Sequence, residues 1–218
     1  MKKNKRICAV ITGDDKAGIE TAGKTADMFE VRIDLIGKAW PRVASRLHKP
    51  WIATNRGTFQ HGKWTGSDEE RTAELLKAVK MGAWMIDIEL ECPGLQEIVQ
   101  QAKGKTKCMI SHHDWEGTPP AARLAEIVNN GISAGAYACK VVTTARGFED
   151  NIAVLKLIRM FPAVRIVAFA MGTEGILSRV MAPMAGAYFT YASICDSSAS
   201  APGQVTVQAM REIYGMIK

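Results

Sequence analysis

The stretch TGDDKAG, residues 12–18, follows the first apolar run of the chain and decides between two parallel α/β folds. A doubly wound dinucleotide-binding sheet carries the pattern GxGxxG directly after its first strand, and TGDDKAG does not match that pattern. The phosphate-loop pattern GxxxxGKT is matched at residues 18–25, but the match begins six residues after the first apolar run instead of directly after it. The sequence therefore favours the closed (β/α)8 barrel over an open doubly wound sheet.

Apolar runs rich in β-branched residues alternate along the chain with segments of helical periodicity. Eight of these runs are predicted to be strands, at residues 6–12, 28–36, 51–56, 84–91, 107–113, 137–144, 164–171 and 187–194. Helices are expected from Ser67 to Met81, where a serine precedes acidic residues, from Thr118 onwards with Thr118 as the N-cap, and over residues 148–161 and 204–217. This alternation predicts a parallel α/β protein. Since 218 residues suffice for a compact barrel, we predict a single (β/α)8 TIM-barrel domain over residues 1–218.

The basic charge of the chain would suit an anionic partner, since the net charge is +6. The basic residues are nevertheless scattered, and only Lys2, Lys3, Lys5 and Arg6 form a cluster. Aromatic residues do not alternate with basic ones as they do in proteins that bind single-stranded nucleic acid. No run reaches the roughly 18 apolar residues that a membrane span requires. We therefore expect an acidic small-molecule substrate as the partner, and neither a nucleic acid nor a membrane.

The cysteines indicate a reducing compartment. The five residues, an odd number, include no CxxC pair and show no repeated spacing, and they are Cys8, Cys92, Cys108, Cys139 and Cys195. Most of them lie within or beside apolar strand-like runs, where a reduced thiol behaves as a small apolar side chain. Buried reduced thiols are typical of cytosolic proteins. We therefore expect a cytoplasmic location.

Polar side chains interrupt the predicted strands near their carboxyl ends. Glu30, Arg32 and Asp34 occupy alternate positions of the second run, so they are expected to face the same side. Further candidates on the following strands are Asn55, Arg56, Asp87, Glu89, Ser111, His112, His113 and Asp114. Because chemistry in a (β/α)8 barrel lies at the carboxyl ends of the strands, their convergence predicts a catalytic site. Alternatively, the charged residues of the second and fourth strands form an ion-pair network that only supports the barrel.

Lys140 lies in the apolar run YACKVVTTA, residues 137–145. Burial disfavours an ammonium ion, so it lowers the pKa of a lysine and yields a nucleophilic amine near neutral pH. Such an amine can attack a ketone or an aldehyde and form a Schiff base. The alternative is a lysine whose stem is buried while its ammonium group reaches water. The charged residues expected on neighbouring strand ends favour the catalytic interpretation.

Six segments form a specific set because of their order and spacing. They are FEVRIDLI at 29–36, DIELE at 87–91, SHHDWEGTP at 111–119, ACKVV at 138–142, GTEGILSR at 172–179 and SAPGQ at 200–204. Together they resemble the motifs of the type I 3-dehydroquinate dehydratase family, and they extend along nearly the whole chain. The resemblance implies a (β/α)8 enzyme of the shikimate pathway that converts 3-dehydroquinate to 3-dehydroshikimate.

The resemblance also implies a role for individual residues. Lys140 would form an imine with the C3 ketone of the substrate, and His113 would take the C2 proton and protonate the departing C1 hydroxyl. The protonated imine is the electron sink, so neither a metal nor an organic cofactor is expected. Arg179 would hold the substrate carboxylate, and Ser200 and Gln204 would belong to a loop that closes over it. The remaining contacts implied for the substrate come from Glu30, Arg32 and Arg56. The family resemblance further suggests a homodimer.

One position departs from the family pattern. Many members carry a glutamate in an R-x-x-x-E-G-G loop as the partner of the catalytic histidine, whereas residues 56–62 of this chain read RGTFQHG. A neutral amide, Gln60, therefore occupies the position of the acid. We expect the pKa of His113 to be lower than in members with the glutamate. Gln60 would orient the ring, or Glu30 or Glu89 would do so instead.

Three other functions remain open from the sequence. The nearest is another Schiff-base barrel, such as a class I aldolase or a transaldolase, although no clear glycine-rich phosphate loop follows the seventh or eighth strand. A metal-dependent hydrolase could use His112, His113 and Asp114, although neighbouring residues of a strand point to opposite faces. A basic nucleic-acid-binding module would bind RNA or DNA in a salt-dependent manner.

Overall fold

The computed structural model describes residues 5–217, and its centre is one sheet of parallel strands. The strands of the described chain are β1 (Ile7–Ile11), β2 (Met28–Arg32), β3 (Trp51–Thr54), β4 (Met85–Glu89), β5 (Lys107–His113), β6 (Ala138–Thr144), β7 (Ile166–Met171) and β8 (Thr190–Ser193). Their hydrogen-bonded order is β7-β6-β5-β4-β3-β2-β1-β8. The amide of Tyr188, just before β8, donates to the carbonyl oxygen of Ile166 in β7 at 2.7 Å. The sheet is therefore a nearly closed barrel, and the predicted fold class is confirmed.

Helices connect the strands and surround the barrel. They are α1 (Lys16–Thr25), α2 (Ile33–Ile36), α3 (Trp40–Ala44), α4 (Asp68–Lys80), α5 (Leu95–Ala102), α6 (Ala121–Ser133), α7 (Phe148–Met160), α8 (Ile176–Ala185) and α9 (Val207–Met216). The predicted start of α4 is confirmed, because the Ser67 hydroxyl accepts from the Glu70 amide and the Glu70 carboxylate accepts from the Ser67 amide. None of the helices within residues 5–217 is long and apolar enough to cross a membrane.

The second strand is shorter than predicted. It ends at Arg32, and the residues from Ile33 to Ile36 form the short helix α2. Ile33 is buried and Ile36 packs against the same apolar core, so their spacing of three residues suits a helical turn. Asp34 therefore does not share a strand face with Glu30 and Arg32, and that expectation is wrong. Its carboxylate instead accepts from the Arg32 guanidinium at 2.9 and 2.7 Å.

The predicted N-cap at Thr118 is also wrong. Helix α6 begins at Ala121, with Pro120 in the capping position and no side chain bonded to the first turn. The Thr118 hydroxyl lies against the sheet, 2.8 Å from the Thr143 hydroxyl and 3.2 Å from the carbonyl oxygen of Thr144. Thr118 therefore fixes the loop after β5 to the end of β6, because these neighbouring hydrogen-bond partners outweigh a local helix cap.

The apolar interior of the barrel gives way to polar side chains along β2, β4, β5 and β6. Residues deep in the barrel are apolar, among them Met28, Met85, Met109 and Ala138. Two positions further along the same strands come Glu30, Asp87, Ser111 and Lys140, all buried. Since side chains alternate with a period of two, both sets point inwards. The apolar set closes the barrel below, and the polar set forms the floor of a site at the carboxyl end.

Two sequence expectations extend past the described residues. Lys2 and Lys3 of the basic cluster lie outside the described range, as do the first and last residues of the domain predicted over 1–218.

The five cysteines are free thiols, and Cys195 is the one that is partly exposed.

Candidate active site

A cavity that is partly open to solvent lies at the carboxyl ends of the strands. Its walls include each of the eight residues that the sequence predicts for a site, namely Lys140, His113, Glu30, Arg32, Arg56, Arg179, Ser200 and Gln204. The residues come from four strands or strand ends, from α8 and from the loop after β8. The barrel thus brings together side chains that lie up to 174 positions apart in the sequence, Glu30 and Gln204.

Lys140 is buried in the floor of this cavity between two carboxylates. Its Nζ lies 2.9 Å from Asp87 Oδ2 and 3.7 Å from Glu30 Oε1, and 4.5 Å from the centre of the Tyr191 ring. The burial of this lysine is as expected. Carboxylates from β2 and β4 lie beside its amine nitrogen, in keeping with the expected convergence of charged strand ends. The two carboxylates stabilise a positive charge on this nitrogen.

Arg56 joins the same buried network. Its guanidinium lies 2.8 Å from the Asp87 carboxylate and 3.7 Å from Glu89, and it donates to the Ser111 hydroxyl at 2.7 Å. Burial alone would lower the pKa of Arg56, but the carboxylates outweigh it and raise that pKa. For Asp87, burial alone would raise the pKa, but Arg56 and Lys140 outweigh it and lower the pKa below its usual range. The carboxylates of the second and fourth strands therefore do form ion pairs, but with Arg56 and Lys140, and Arg32 pairs separately with Asp34.

His113, at the end of β5, lies beside this cluster of cations. Its Nδ1 is 3.2 Å from Oε1 of Gln60. Burial, and then the charges of Arg56 and Lys140, lower the pKa of His113 well below its ordinary value. The ring is therefore neutral at pH 7. Gln60 holds the place beside the ring, whereas Glu30 accepts from Thr54 at 2.8 Å and Glu89 accepts from the Gly57 amide at 3.1 Å.

Arg179 differs from Arg56 because its charge is not paired. It is buried, its guanidinium carbon lies 4.1 Å from the centre of the Phe169 ring, and its Nε and Nη2 have no hydrogen-bond partner among the described residues. Burial lowers the pKa of Arg179 to about 10, so the group remains charged at neutral pH. A buried guanidinium with unused donors on a cavity wall is suited to bind a carboxylate.

The loop after β8 forms the remaining wall. Gln204 Oε1 accepts from the amide of Ser200 at 2.7 Å and lies 3.2 Å from the Ser200 hydroxyl. The carbonyl oxygen of Pro202 accepts from the Gly172 amide at 3.2 Å, which ties this loop to the end of β7. The loop is therefore folded over the cavity in this structure.

Several residues of the cavity were not singled out from the sequence. They are Val10, Thr54, His61, Trp115, Val142, Phe169, Met171, Tyr191 and Ala201. His61 lies in a turn, and its ring packs at a tilt against Trp115 with the ring centres 4.3 Å apart. Phe169 and Tyr191 could have been found from strand alternation, because they face inwards on β7 and β8.

The geometry of His112, His113 and Asp114 contradicts the metal-site hypothesis. His112 Nδ1 pairs with Glu91, His113 Nδ1 faces Gln60, and Asp114 accepts from the amides of Glu116 and Gly117. Since the side chains bind separate partners, they do not form one set of ligands. Over residues 5–217 no cluster of three or more His, Cys, Asp or Glu side chains is arranged to hold a metal ion.

Comparison with known proteins identifies the family of this chain. The family model described as type I 3-dehydroquinase matches residues 7–218. The chain belongs to the type I 3-dehydroquinase family. The family predicted from the six motifs is thereby confirmed, and with it the prediction that the chain is an enzyme of this family.

Individual relatives align with nearly the whole of this chain. A 3-dehydroquinate dehydratase of Dehalococcoides mccartyi is 44% identical over 212 residues, which cover 97% of this chain and 96% of the relative. One from Methanocaldococcus jannaschii is 35% identical over 219 residues, with 97% and 98% covered. The crystal structure of the type I 3-dehydroquinate dehydratase of Clostridium difficile superimposes with a TM-score of 0.85 at 23% identity, over 98% of this chain and 92% of that one. That likeness supports the barrel fold.

Proposed function

We propose that this protein dehydrates 3-dehydroquinate to 3-dehydroshikimate through a Schiff base on Lys140. The observation that carries the proposal is the shared cavity, in which a buried lysine, a neutral histidine and an unpaired arginine line the same walls. A dehydratase for this substrate needs those three groups: a nucleophile for the ketone, an acid–base group for C2 and C1, and a cation for the carboxylate.

The covalent step begins at the Lys140 nitrogen. The ammonium must first lose a proton, after which the amine attacks the C3 carbonyl, and water leaves as the carbon–nitrogen double bond forms. The protonated iminium carries a positive charge at the position of the former ammonium. Asp87 and Glu30, at 2.9 and 3.7 Å from Nζ, therefore stabilise the intermediate as well as the free enzyme.

His113 carries the proton transfers in this proposal. A neutral ring can accept the C2 proton, whose acidity is raised by the adjacent iminium. The resulting enamine expels the C1 hydroxyl, which takes a proton from His113 and leaves as water. Hydrolysis of the iminium then releases the product and the Lys140 amine. The ring thus gives back the proton that it took, and no further acid is needed.

The other cavity residues bind and enclose the substrate. Arg179 holds the carboxylate through its unused N–H donors. Glu30 and Arg32 contact the ring hydroxyls, and Arg56 mainly supports the floor because Asp87 and Ser111 already occupy its guanidinium. The loop with Ser200 and Gln204 excludes water from the iminium until dehydration is complete.

The direct test is the formation of a conjugated enone, followed by ultraviolet absorbance, when the protein is mixed with 3-dehydroquinate. We expect turnover by the native protein and none above background by Lys140→Ala. Lys77→Ala, which removes an exposed lysine on α4, is the matched control and should retain full activity. Full turnover by Lys140→Ala would refute the mechanism. Cleavage of phosphorylated sugars without any action on dehydroquinate would identify a class I aldolase or transaldolase instead.

Location and assembly are further parts of the proposal. Five free thiols suit the reducing cytoplasm, and the proposed substrate is a small soluble acid. The family resemblance suggests a homodimer, which light scattering during gel filtration would distinguish from a monomer. We propose no nucleic-acid partner. Salt-sensitive binding to RNA or DNA in an electrophoretic shift experiment would contradict that part.

A further inference from the structure

A series of hydrogen-bonded side chains extends from His113 away from the cavity. Nδ1 of His113 lies 3.2 Å from Oε1 of Gln60, and Nε2 of Gln60 donates to Oε2 of Glu91 at 3.3 Å. The second carboxylate oxygen, Oε1 of Glu91, pairs with Nδ1 of His112. Glu91 follows β4, and both histidines end β5, so two neighbouring strand ends position this series of side chains.

The carboxylate decides which way the Gln60 amide lies. An amide presents N–H donors on one side and an acceptor oxygen on the other. With the amide nitrogen towards Glu91, a charge-assisted hydrogen bond forms; with the amide reversed, its oxygen would face the carboxylate and the two would repel. Gln60 is buried, so a reversed amide would leave its donors with few other partners, even though the Glu91 side chain is 42% exposed. Glu91 therefore favours the orientation in which the amide oxygen faces the histidine.

The orientation of the amide in turn decides the tautomer of His113. An oxygen beside Nδ1 accepts only from an Nδ1–H, so the neutral ring carries its proton there and leaves Nε2 as the free base. A reversed amide would donate to Nδ1, and the proton would move to Nε2. In that tautomer the ring would offer a donor where the proposed reaction first needs a base. A glutamate at position 60 would have no such ambiguity, because both of its oxygens accept.

We propose that Glu91 is a positioning residue that holds His113 in the Nδ1–H tautomer through the amide of Gln60. The proposal deepens the proposed function, because it assigns the group that prepares His113 as the base. It explains how a chain with a glutamine beside the histidine retains an acidic partner. The Glu91 carboxylate contacts the Gln60 amide and not the ring itself. By fixing the orientation of that amide, it fixes the tautomer of His113.

The tautomer can be measured without any catalytic activity. In protein labelled with ¹⁵N-histidine, the two ring nitrogens have different shifts depending on which one carries the proton, and loss of signals in His113→Gln assigns the ring. At pH 7 we expect the Nδ1–H form in the native protein and a rise of the Nε2–H form in Glu91→Ala. An Nε2–H ring in the native protein would overturn the proposal. So would an unchanged tautomer in Glu91→Ala.

Kinetics of paired variants give a second test on the same residues. Glu91→Ala should lower kcat by about fivefold with KM nearly unchanged, as expected for the loss of one orienting hydrogen bond. In the Gln60→Glu background the same substitution should leave kcat unchanged or slightly raised. Glu97→Ala, which removes an equal charge from the exposed side of α5, is the control and should behave as the native protein.

An equal loss of kcat from Glu91→Ala in both backgrounds would show that Glu91 acts on the site by some other route and would overturn the proposal. The two failures are distinguishable. A protein that does not dehydrate dehydroquinate refutes the proposed function, whereas the tautomer of His113 still reports on Glu91.

Discussion

Two buried arginines of the cavity differ in what surrounds them. Arg56 lies between Asp87, Glu89 and Ser111, so its charge and its donors are satisfied within the protein. Arg179 has an aromatic ring beneath it and two nitrogens without a partner among the described residues. A buried charge without a partner destabilises a protein, so Arg179 is a residue whose position favours binding over stability.

Substitution of Arg179 separates these two effects. In Arg179→Met the apolar side chain fills similar space without unpaired donors, so the melting temperature should rise or remain unchanged. KM for 3-dehydroquinate should rise by about tenfold or more, because the carboxylate loses a charge-assisted pair. Thermal unfolding and steady-state kinetics on the same preparation check both. An unaltered KM would remove Arg179 from substrate binding.

Gln60→Glu tests the electrostatics of the histidine. A carboxylate beside Nδ1 stabilises the charged ring, so the pKa of His113 should rise. The acidic limb of the kcat/KM profile should move to higher pH, since the neutral base is then present only above the raised pKa. Gln60→Asn, which changes length without adding charge, is the control. A pH–rate profile that Gln60→Glu leaves unmoved would show that the residue does not influence the proton transfer.

At the residue scale, the site was predictable where a motif or strand alternation identified it. Lys140, His113 and Arg179 follow from motifs, and the inward direction of Lys140 follows from its strand. The partners of Lys140 do not follow, because the approach of Asp87 to Nζ depends on the register between strands that are far apart in sequence. Arg71 is a similar case. It lies in the acidic run at the start of α4, yet its guanidinium is buried against Glu89.

Among the elements, the loop after β8 depends on one glycine. Gly203 has a φ of +73°, and a Cβ at this position would lie 2.2 Å from the carbonyl oxygen of Gly172. The backbone contact between Gly172 and Pro202 holds the loop at the end of β7. Only a glycine allows this approach, so the position of Ser200 and Gln204 over the cavity depends on it.

Gly203→Ala should displace the loop without affecting the barrel. We expect KM to rise by about tenfold, since Gln204 and Ser200 leave the cavity wall, while the melting temperature changes little. Gly215→Ala is the matched control, because a Cβ there meets nothing within 4 Å and alanine suits the last turn of α9. Native kinetics in Gly203→Ala would contradict a closing role for this loop.

Element boundaries show where local pattern is insufficient. The eight strands were predictable, since β-branched apolar runs of this length are typical of buried strands. The end of β2 was not, because Ile33 and Ile36 fit either a strand or a helical turn until their contact with the core is known. Thr118 was expected as a helix cap, but it prefers the hydroxyl and carbonyl partners that tertiary structure brings to it.

For the molecule as a whole, buried ionisable groups link stability to pH. The pKa of Asp87 is lower in the folded protein than in the unfolded chain, and the same holds for His113. The unfolded chain therefore binds protons that the native protein does not bind. Stability from Asp87 is present above the unfolded value of about 4 and is lost below it, and stability linked to His113 falls below about 6.5.

We expect the free energy of unfolding to fall as the pH is lowered from 7 to 5, and to fall further below 4. In His113→Gln the decrease between pH 7 and 5 should be smaller, because a neutral amide binds no proton. His48→Gln, which replaces an exposed histidine, should keep the native slope. Urea unfolding at each pH measures this free energy. A native slope in His113→Gln would show that the ring is not held neutral by the fold.

The barrel itself was predictable from the alternation of strands and helices and from TGDDKAG after the first strand. Closure follows from global packing rather than from one motif, and the structure provides it through the contact of Tyr188 with Ile166. Assembly depends on a partner surface that single-chain patterns do not identify, so the homodimer stays a prediction.

Borohydride trapping examines the covalent chemistry most directly. The protein is incubated with 3-dehydroquinate, reduced, digested and analysed by mass spectrometry. A stable substrate-derived adduct on the peptide that contains Lys140, absent without substrate, is the expected result. A native enzyme that turns over fully but carries no adduct, or carries it on another lysine, would contradict the Schiff base at Lys140.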